Sequence, residues 1–473
     1  MSNSEALQCQ QVFSELPDEW QTDLLPEIRE KIAESNTKIV VLDDDPTGTQ
    51  TVHDVTVLTG WSVDDLLQEL ADDAPCVFIL TNTRSMVADD AEQINRQIAR
   101  NLKIASEQTG RDFVIVSRGD STLRGHMPLE TDTLAAELEY DVDGILLVPA
   151  FMAGGRYTIN STHYVAEGGK LIPAAETPFA QDATFGYSQS NLCNWIAEKT
   201  NGQVQASDVH RITIDDIRRG GVNTVLSTLM TLQQSAYCAV DAVSERDLEV
   251  LVLAILQAET QGKRFLYRTA ASFAAIRAGI GIKDVLSKAE LKTIRKGAGL
   301  VVVGSYVPKS SSQLSHLLDS GIVNGVEIDV KALLLDDTRQ AEMARVISTA
   351  QEYLSKHDDV VIYTSRELII GDDANHSLMI GNQISHSLVT VTQALQSMAR
   401  YIIAKGGITS SDLATKALQV KRARVIGQIL VGIPVWQLGT ESTEPDLTYI
   451  VFPGTVGQID SLTQAVLKLK EYR

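Results

Sequence analysis

Three carboxylates stand in a row at Asp43, Asp44 and Asp45, followed by Pro46, Thr47 and Gly48. They come directly after the apolar run Ile39-Val40-Val41-Leu42. Carboxylates this close repel one another unless a cation or hydroxyl donors share the site. A helix cap would need only one of them. Asp44 is therefore a candidate general base towards a hydroxyl group, with Asp43 beside it as a binding group. A second constellation is Arg118-Gly119-Asp120-Ser121-Thr122-Leu123-Arg124-Gly125. Its arginines offer the two-pronged fork that carboxylates and phosphates accept. Asp120, Ser121 and Thr122 supply an acceptor and hydroxyls suited to a polyol chain, and Asp120 is a second candidate base. Arg84 follows another apolar run, Val77-Phe78-Ile79-Leu80, and could clamp a carboxylate.

A different chemistry is written further along. Gly406, Gly407 and Thr409 stand between an apolar run and the helical stretch 413–418. Gly454 and Gly457 follow Tyr449-Ile450-Val451-Phe452 in the same way, and Gly304-Ser305 follows Leu300-Val301-Val302-Val303. Glycines let backbone amides approach an anion closely, and a helix start adds free N–H groups. Together the three loops read as one nucleotide site. There is no GxxxxGK[ST] loop and no GxGxxG fingerprint, which argues against a P-loop NTPase and a Rossmann dehydrogenase. His53, His126, His163, His376 and His386 show no metal-binding spacing, and no GxSxG elbow is present.

These residues need elements to position them. Short apolar runs bounded by turn residues alternate with longer amphipathic stretches from Lys38 onwards, the pattern of βαβ units. Runs at 39–42, 77–80, 113–116, 145–148 and 264–267 predict strands of one parallel sheet. In such sheets ligands bind beyond the carboxyl ends of the strands, which is where the acidic and arginine-rich loops fall. Residues 154–187 are rich in Gly, Pro and Thr with little periodicity, and read as a long loop forming a lid or a second ligand wall. Runs at 300–303, 360–363, 401–404 and 449–452 predict a second sheet. The expected organisation is an N-terminal helical extension over residues 1–36, a ligand domain over 37–297 and a nucleotide domain over 298–473. The fold class is α/β, with two domains each built on a mostly parallel sheet flanked by helices and an active site in the interdomain cleft.

The chain has 473 residues, is 44% hydrophobic and carries a formal charge of −20. That charge repels phosphate backbones and anionic membranes, so neither nucleic acid nor a membrane is an expected partner. A small anionic ligand needs a local arginine cluster, and the polar loops supply one. The four cysteines form no CxxC pair, and Cys76 sits in an apolar run as a reduced core residue. The start Met1-Ser2-Asn3-Ser4-Glu5 has no basic or apolar targeting pattern. A cytoplasmic location is the expectation. The sequence leaves homo-oligomerisation open.

The order and spacing of these motifs resemble the four-carbon acid sugar kinase family. Asp43-Asp44 with Thr47-Gly48 is similar to the family's DDxTG loop. Residues 118–125 are similar to its KxDSTLRGN motif, with Arg118 for the lysine and His126 for the asparagine. Gly155-Arg156, Glu176-Thr177-Pro178-Phe179 and Asp182 resemble further family segments. Gly304-Ser305, Gly406-Gly407-x-Thr409 and Pro453-Gly454-x-x-Gly457 resemble the motifs of its C-terminal domain. The resemblance spans roughly residues 38–465. It implies a sugar-acid domain followed by an ATP domain, and phosphorylation of a terminal hydroxyl on threonate, erythronate or an oxo-tetronate. Asp43, Asp44, Arg84, Asp120, Ser121 and Arg124 would then contact the acid. Ser305, Gly407 and Gly454 would contact ATP, with Mg²⁺ as its companion. Ile408 stands where the family carries an acid, which removes a cation contact and leaves a non-catalytic sugar-acid-binding regulator as the rival reading.

Overall fold

The computed structural model describes residues 7–138, 141–291, 295–366, 369 and 374–470. Met1–Glu5 and the side chain of His376 lie outside the described residues. The chain forms two compact units. The first comprises residues 1–51 and 60–281, the second residues 52–59 and 282–473. The sequence reading kept residues 37–297 together. In the structure the Val55–Leu58 strand pairs antiparallel with Arg422–Leu430 and so belongs to the second unit's sheet.

The first unit's sheet has seven parallel strands. Their order is His210–Ile212, Ala236–Val240, Gly144–Val148, Phe265–Thr269, Phe113–Arg118, Lys38–Asp43 and Cys76–Leu80. The expected strands are all present. The Lys38–Asp43, Cys76–Leu80, Gly144–Val148 and Phe265–Thr269 strands are buried along their whole length, as strands covered on both faces must be. The order in which successive strands are added reverses between the parallel Lys38–Asp43 and Phe113–Arg118 strands. The first connects onward to Cys76–Leu80 on one side, and the second to Gly144–Val148 on the other. Such a switch point opens a crevice at the strands' carboxyl ends. Asp43 and Arg118 face each other in register there. The Glu245–Thr260 helix packs behind, almost wholly buried, and starts at a capping box between Ser244 and Asp247. The extension contributes the Leu25–Ser35 helix, which buries Ile28 and Ile32 and packs on Glu245–Thr260.

The region read as an irregular loop is different in the structure. Arg156–Ile159, Thr162–Glu167 and Lys170–Pro173 form an antiparallel meander, joined by Leu7–Gln8. The turn between the first two strands holds Asn160 and Ser161 at positive φ. The buried Asp241 carboxylate accepts both of their amides and so stabilises that turn. Such short strands offer too few residues for an alternation to stand out in sequence.

In the second unit the order is Val55–Leu58, Arg422–Leu430, Ile433–Leu438, Thr448–Phe452, Ala399–Lys405, Ala298–Val303, Val360–Thr364 and Asn324–Ile328. The last five are parallel, and the first three add an antiparallel edge. The core is apolar, with Val301, Val303, Ile403, Ile450 and Phe452 packed on Leu314, Leu317, Leu462 and Val466. The order of strand addition reverses between the parallel Ala298–Val303 and Ala399–Lys405 strands, so Gly304 and Gly406 both lie at a switch point. Among the described residues no helix is long and apolar enough to cross a membrane. The four cysteines are free thiols, and burial pushes the Cys76 thiol up to about 12.

Candidate active site

In the first unit the loops after four parallel strands bring their charges together. Arg118 Nη1 contacts Asp43 Oδ1 at 3.1 Å. Arg84 is ion-paired with Asp45 and lies 3.5 Å from Asp44 and 3.4 Å from Asp120. Arg124 Nε donates to Asp120 at 2.8 Å, and its Nη1 lies 3.6 Å from Asp182. Thr122 donates to the same Asp120 oxygen. Of the residues singled out in sequence, Asp43, Asp44, Arg84, Asp120, Thr122 and Arg124 are therefore assembled. Ser121 sits in the same loop, where its carbonyl accepts from His163 Nε2 at 2.7 Å. Burial lowers the His163 imidazole to about 4, so the neutral ring accepts at Nδ1 from Thr158, 3.0 Å away.

The carboxylates are not equivalent. Burial is the main cause that raises Asp43 to about 7, helped by the charge of Asp44 and opposed by Arg118. Burial would also raise Asp120, but the guanidinium groups of Arg84 and Arg124 outweigh it and hold it well below the usual carboxylate range. Asp44 is 3% exposed, and among the described residues neither of its oxygens has a hydrogen-bond donor. Three guanidinium groups surround it at a longer distance: Arg84 at 3.5 Å, Arg268 at 3.7 Å and Arg118 at 3.9 Å. A buried carboxylate with free lone pairs calls for a donor. Arg84, Met86, Gly125, His126, Phe185 and Lys199 line an adjoining open cavity of about 680 Å³.

Two members of this network escaped the sequence reading. Arg268 is the penultimate residue of the Phe265–Thr269 strand and is 5% exposed. Its Nη1 donates to Glu130 Oε2 at 2.9 Å and its Nη2 to the Arg124 carbonyl at 3.0 Å. Burial raises Glu130, with Arg268 opposing. The only sequence signal was position: an arginine at the carboxyl end of a buried strand, like Arg118. Gly119 and Gly125 flank its guanidinium, and a Cβ at either would overlap it. The glycines of the 118–125 motif are thus the walls of an arginine slot. Phe179, in the region read as a ligand wall, carries Arg124 and Arg156 over its ring at 5.1 and 5.7 Å. Gly48 has a similar role to the slot glycines, since a Cβ there would overlap the Asp43 carboxylate. Gly48→Ala is expected to push Asp43 off Arg118. It should cost about 2–4 kcal/mol in the first unit's unfolding transition, read by urea denaturation.

In the second unit the three glycine loops meet. A Cβ at Gly406 would come within 2.9 Å of Ser305 Cβ, and one at Gly454 within 3.1 Å of Ser305 Oγ. A Cβ at Gly304 would overlap Thr409. Gly457 turns at φ +89° against Ser461 and Gln313. Ser305, Gly406, Thr409 and Gly454 are thus brought together, and Gly407 opens the Gly407–Asp412 helix beside them. Ser310 Oγ links the loops, 3.0 Å from Ser305 Oγ and 2.9 Å from the Gly454 carbonyl. Ile408 is 67% exposed at the lip of this region.

Comparison with known proteins fits this division. Residues 39–277 match the sugar-binding N-terminal domain, and residues 300–462 match the nucleotide-binding C-terminal domain. The D-threonate kinase of Salmonella typhimurium is 25% identical over 450 residues, covering 92% of this chain and 99% of that protein. Two solved structures share the fold. A Salmonella typhimurium LT2 protein described as a tRNA synthase aligns with a TM-score of 0.67 at 17% identity, covering 90% of this chain and 98% of its own. A Haemophilus influenzae protein of the DUF1537 family aligns at 0.64 and 18%, covering 91% and 100%. With both domain types matched in order, the chain belongs to the four-carbon acid sugar kinase family.

Proposed function

We propose that the chain is an ATP-dependent kinase that phosphorylates the terminal hydroxyl of a small, four-carbon sugar acid such as threonate, erythronate or 3-oxo-tetronate. The observation that carries this reading is Asp44, a buried carboxylate whose oxygens accept no hydrogen bond among the described residues and which lies amid Arg84, Arg118 and Arg268. Its rival as base, Asp120, is held far down by Arg84 and Arg124 and so has little tendency to take a proton. Arg84 and Arg124 would hold the acid's carboxylate, exchanging part of their present pairing with Asp44, Asp120 and Asp182. Asp43, Ser121 and Thr122 would fix the polyol. Asp44 accepts the proton of the terminal hydroxyl. That oxygen bonds to the γ-phosphorus of ATP, the bond to the β-phosphate oxygen breaks, and ADP leaves. Ser305, Gly406, Gly407, Thr409, Gly454 and Gly457 would cradle the phosphates.

No group of three or more His, Cys, Asp or Glu suited to a metal occurs among the described residues. Mg²⁺ would therefore be held chiefly by phosphate oxygens and water, as it often is in kinases. It would supply charge neutralisation there. The work of this chain is positioning and charge stabilisation.

The test is ATP consumption with Mg²⁺ across a panel of four- to six-carbon sugar acids. Turnover is expected with a four-carbon acid. A protein that binds such an acid but never turns over ATP would be the sugar-acid-binding regulator instead, the reading that Ile408 favours.

A further inference from the structure

Three buried arginines of this chain meet carboxylates. Arg118 meets Asp43, Arg268 meets Glu130 and Arg277 meets Glu259. Lys405 does not. It closes the Ala399–Lys405 strand and is fully buried. Its Nζ donates to the carbonyls of Pro453 at 2.6 Å and Gly454 at 3.2 Å, and lies 4.1 Å from the centroid of the Phe452 ring. No carboxylate pairs with it among the described residues. Burial pushes its ammonium down to about 7, and Lys309 adds to the effect. Two carbonyls and a ring face repay only part of the cost of burying a charge.

The placement explains what that cost achieves. Lys405 is the residue immediately before Gly406, and it grips the loop that carries Gly454. In a planar trans peptide the C=O and the N–H point in opposite directions. With the Pro453 and Gly454 carbonyls turned towards Lys405, the amides of Gly454 and Thr455 point away from it. Those two amides donate to no protein acceptor among the described residues. Ser310 Oγ also donates to the Gly454 carbonyl, at 2.9 Å.

The geometry points to Lys405 as a positioning residue for nucleotide phosphate, which holds the Gly454 and Thr455 amides outward and supplies the unpaired positive charge that the phosphates neutralise. The inference rests on the kinase reading above and adds a specific residue to it. Charged groups on the surrounding elements do not take this role away. Lys309, on the Pro308–Asp319 helix, is a second cation. Arg366 is engaged with the Ser305 carbonyl, and Asp412, on the Gly407–Asp412 helix, is taken by Ser385 and Lys416.

The experiment is calorimetric titration of the full chain with ADP, comparing wild type with Lys405→Met, a variant of similar length without charge. Lys405→Met is expected to bind ADP at least ~50-fold more weakly, while its unliganded melting temperature stays at or above that of wild type. Relief from burying an unpaired charge offsets the loss of its two hydrogen bonds to the Pro453 and Gly454 carbonyls. Unchanged ADP affinity would overturn the inference and leave the kinase reading standing. A variant that melts far below wild type would show Lys405 to be a structural tie and would equally overturn the charge role. Wild type that fails to bind ADP would overturn the nucleotide reading itself. A second measurement needs no variant. At pH 8, wild type should take up roughly one proton per ADP bound, measured in buffers of different ionisation enthalpy, and no uptake would contradict the proposal.

Discussion

Asp44→Asn should fold, bind ADP as wild type does, and turn over sugar acid roughly 10³-fold more slowly. The argument starts from the two free oxygens of a carboxylate that is 3% exposed. Asparagine keeps the size of the side chain and removes its capacity to take a proton. The loss should appear in kcat, with a smaller change in KM for the acid, because the arginines that would hold the substrate's own carboxylate remain. Nucleotide affinity reports on the second unit, which builds its loops from its own residues, and serves as an internal control. A variant with wild-type kcat would remove Asp44 from the role and return Asp120 to candidacy.

The largest stability effect is expected at Arg268. Its guanidinium sits in the slot between Gly119 and Gly125 and pairs with Glu130, which is 4% exposed. Arg268→Met leaves that carboxylate buried without its cation, a change that costs about 3–5 kcal/mol. It also frees the Arg124 carbonyl and removes one of the three cations around Asp44. The Glu130→Gln, Arg268→Met double variant should recover at least ~1.5 kcal/mol of that loss, because the orphaned charge has gone with its partner. Urea unfolding of the four proteins of this cycle measures both numbers. Strict additivity would mean that the pair is not coupled.

These two residues also mark how much of the site could be read in advance. Asp44 was legible because three acids after a buried strand exceed what a turn needs. Arg84 and Arg124 were legible because arginine in a polar loop of an acidic chain needs a reason. Arg268 and Glu130 were not, since each looks ordinary alone: an arginine late in a strand, and an acid in the first turn of the Leu129–Leu138 helix. Their partnership is made by the fold, which packs the Leu129–Leu138 helix against the Phe265–Thr269 strand although 138 residues separate Glu130 from Arg268 in the chain.

The same contrast holds for the fold. Parallel strands such as Cys76–Leu80 were visible as unbroken apolar runs. The Arg156–Pro173 meander was hidden because each strand is short and Gly168, Gly169, Asn160 and Ser161 interrupt the pattern at its turns. The Val55–Leu58 strand has the right composition but too little length. Only its antiparallel pairing with Arg422–Leu430 assigns it to the second unit.

The most direct test of the central claim is phosphorus NMR of the full chain incubated with ATP, Mg²⁺ and a four-carbon sugar acid such as D-threonate. The account predicts a new phosphate monoester on the acid that forms in step with ADP and is absent with Asp44→Asn. ADP appearing with free phosphate alone, or no change in ATP with any four-carbon acid, would contradict it.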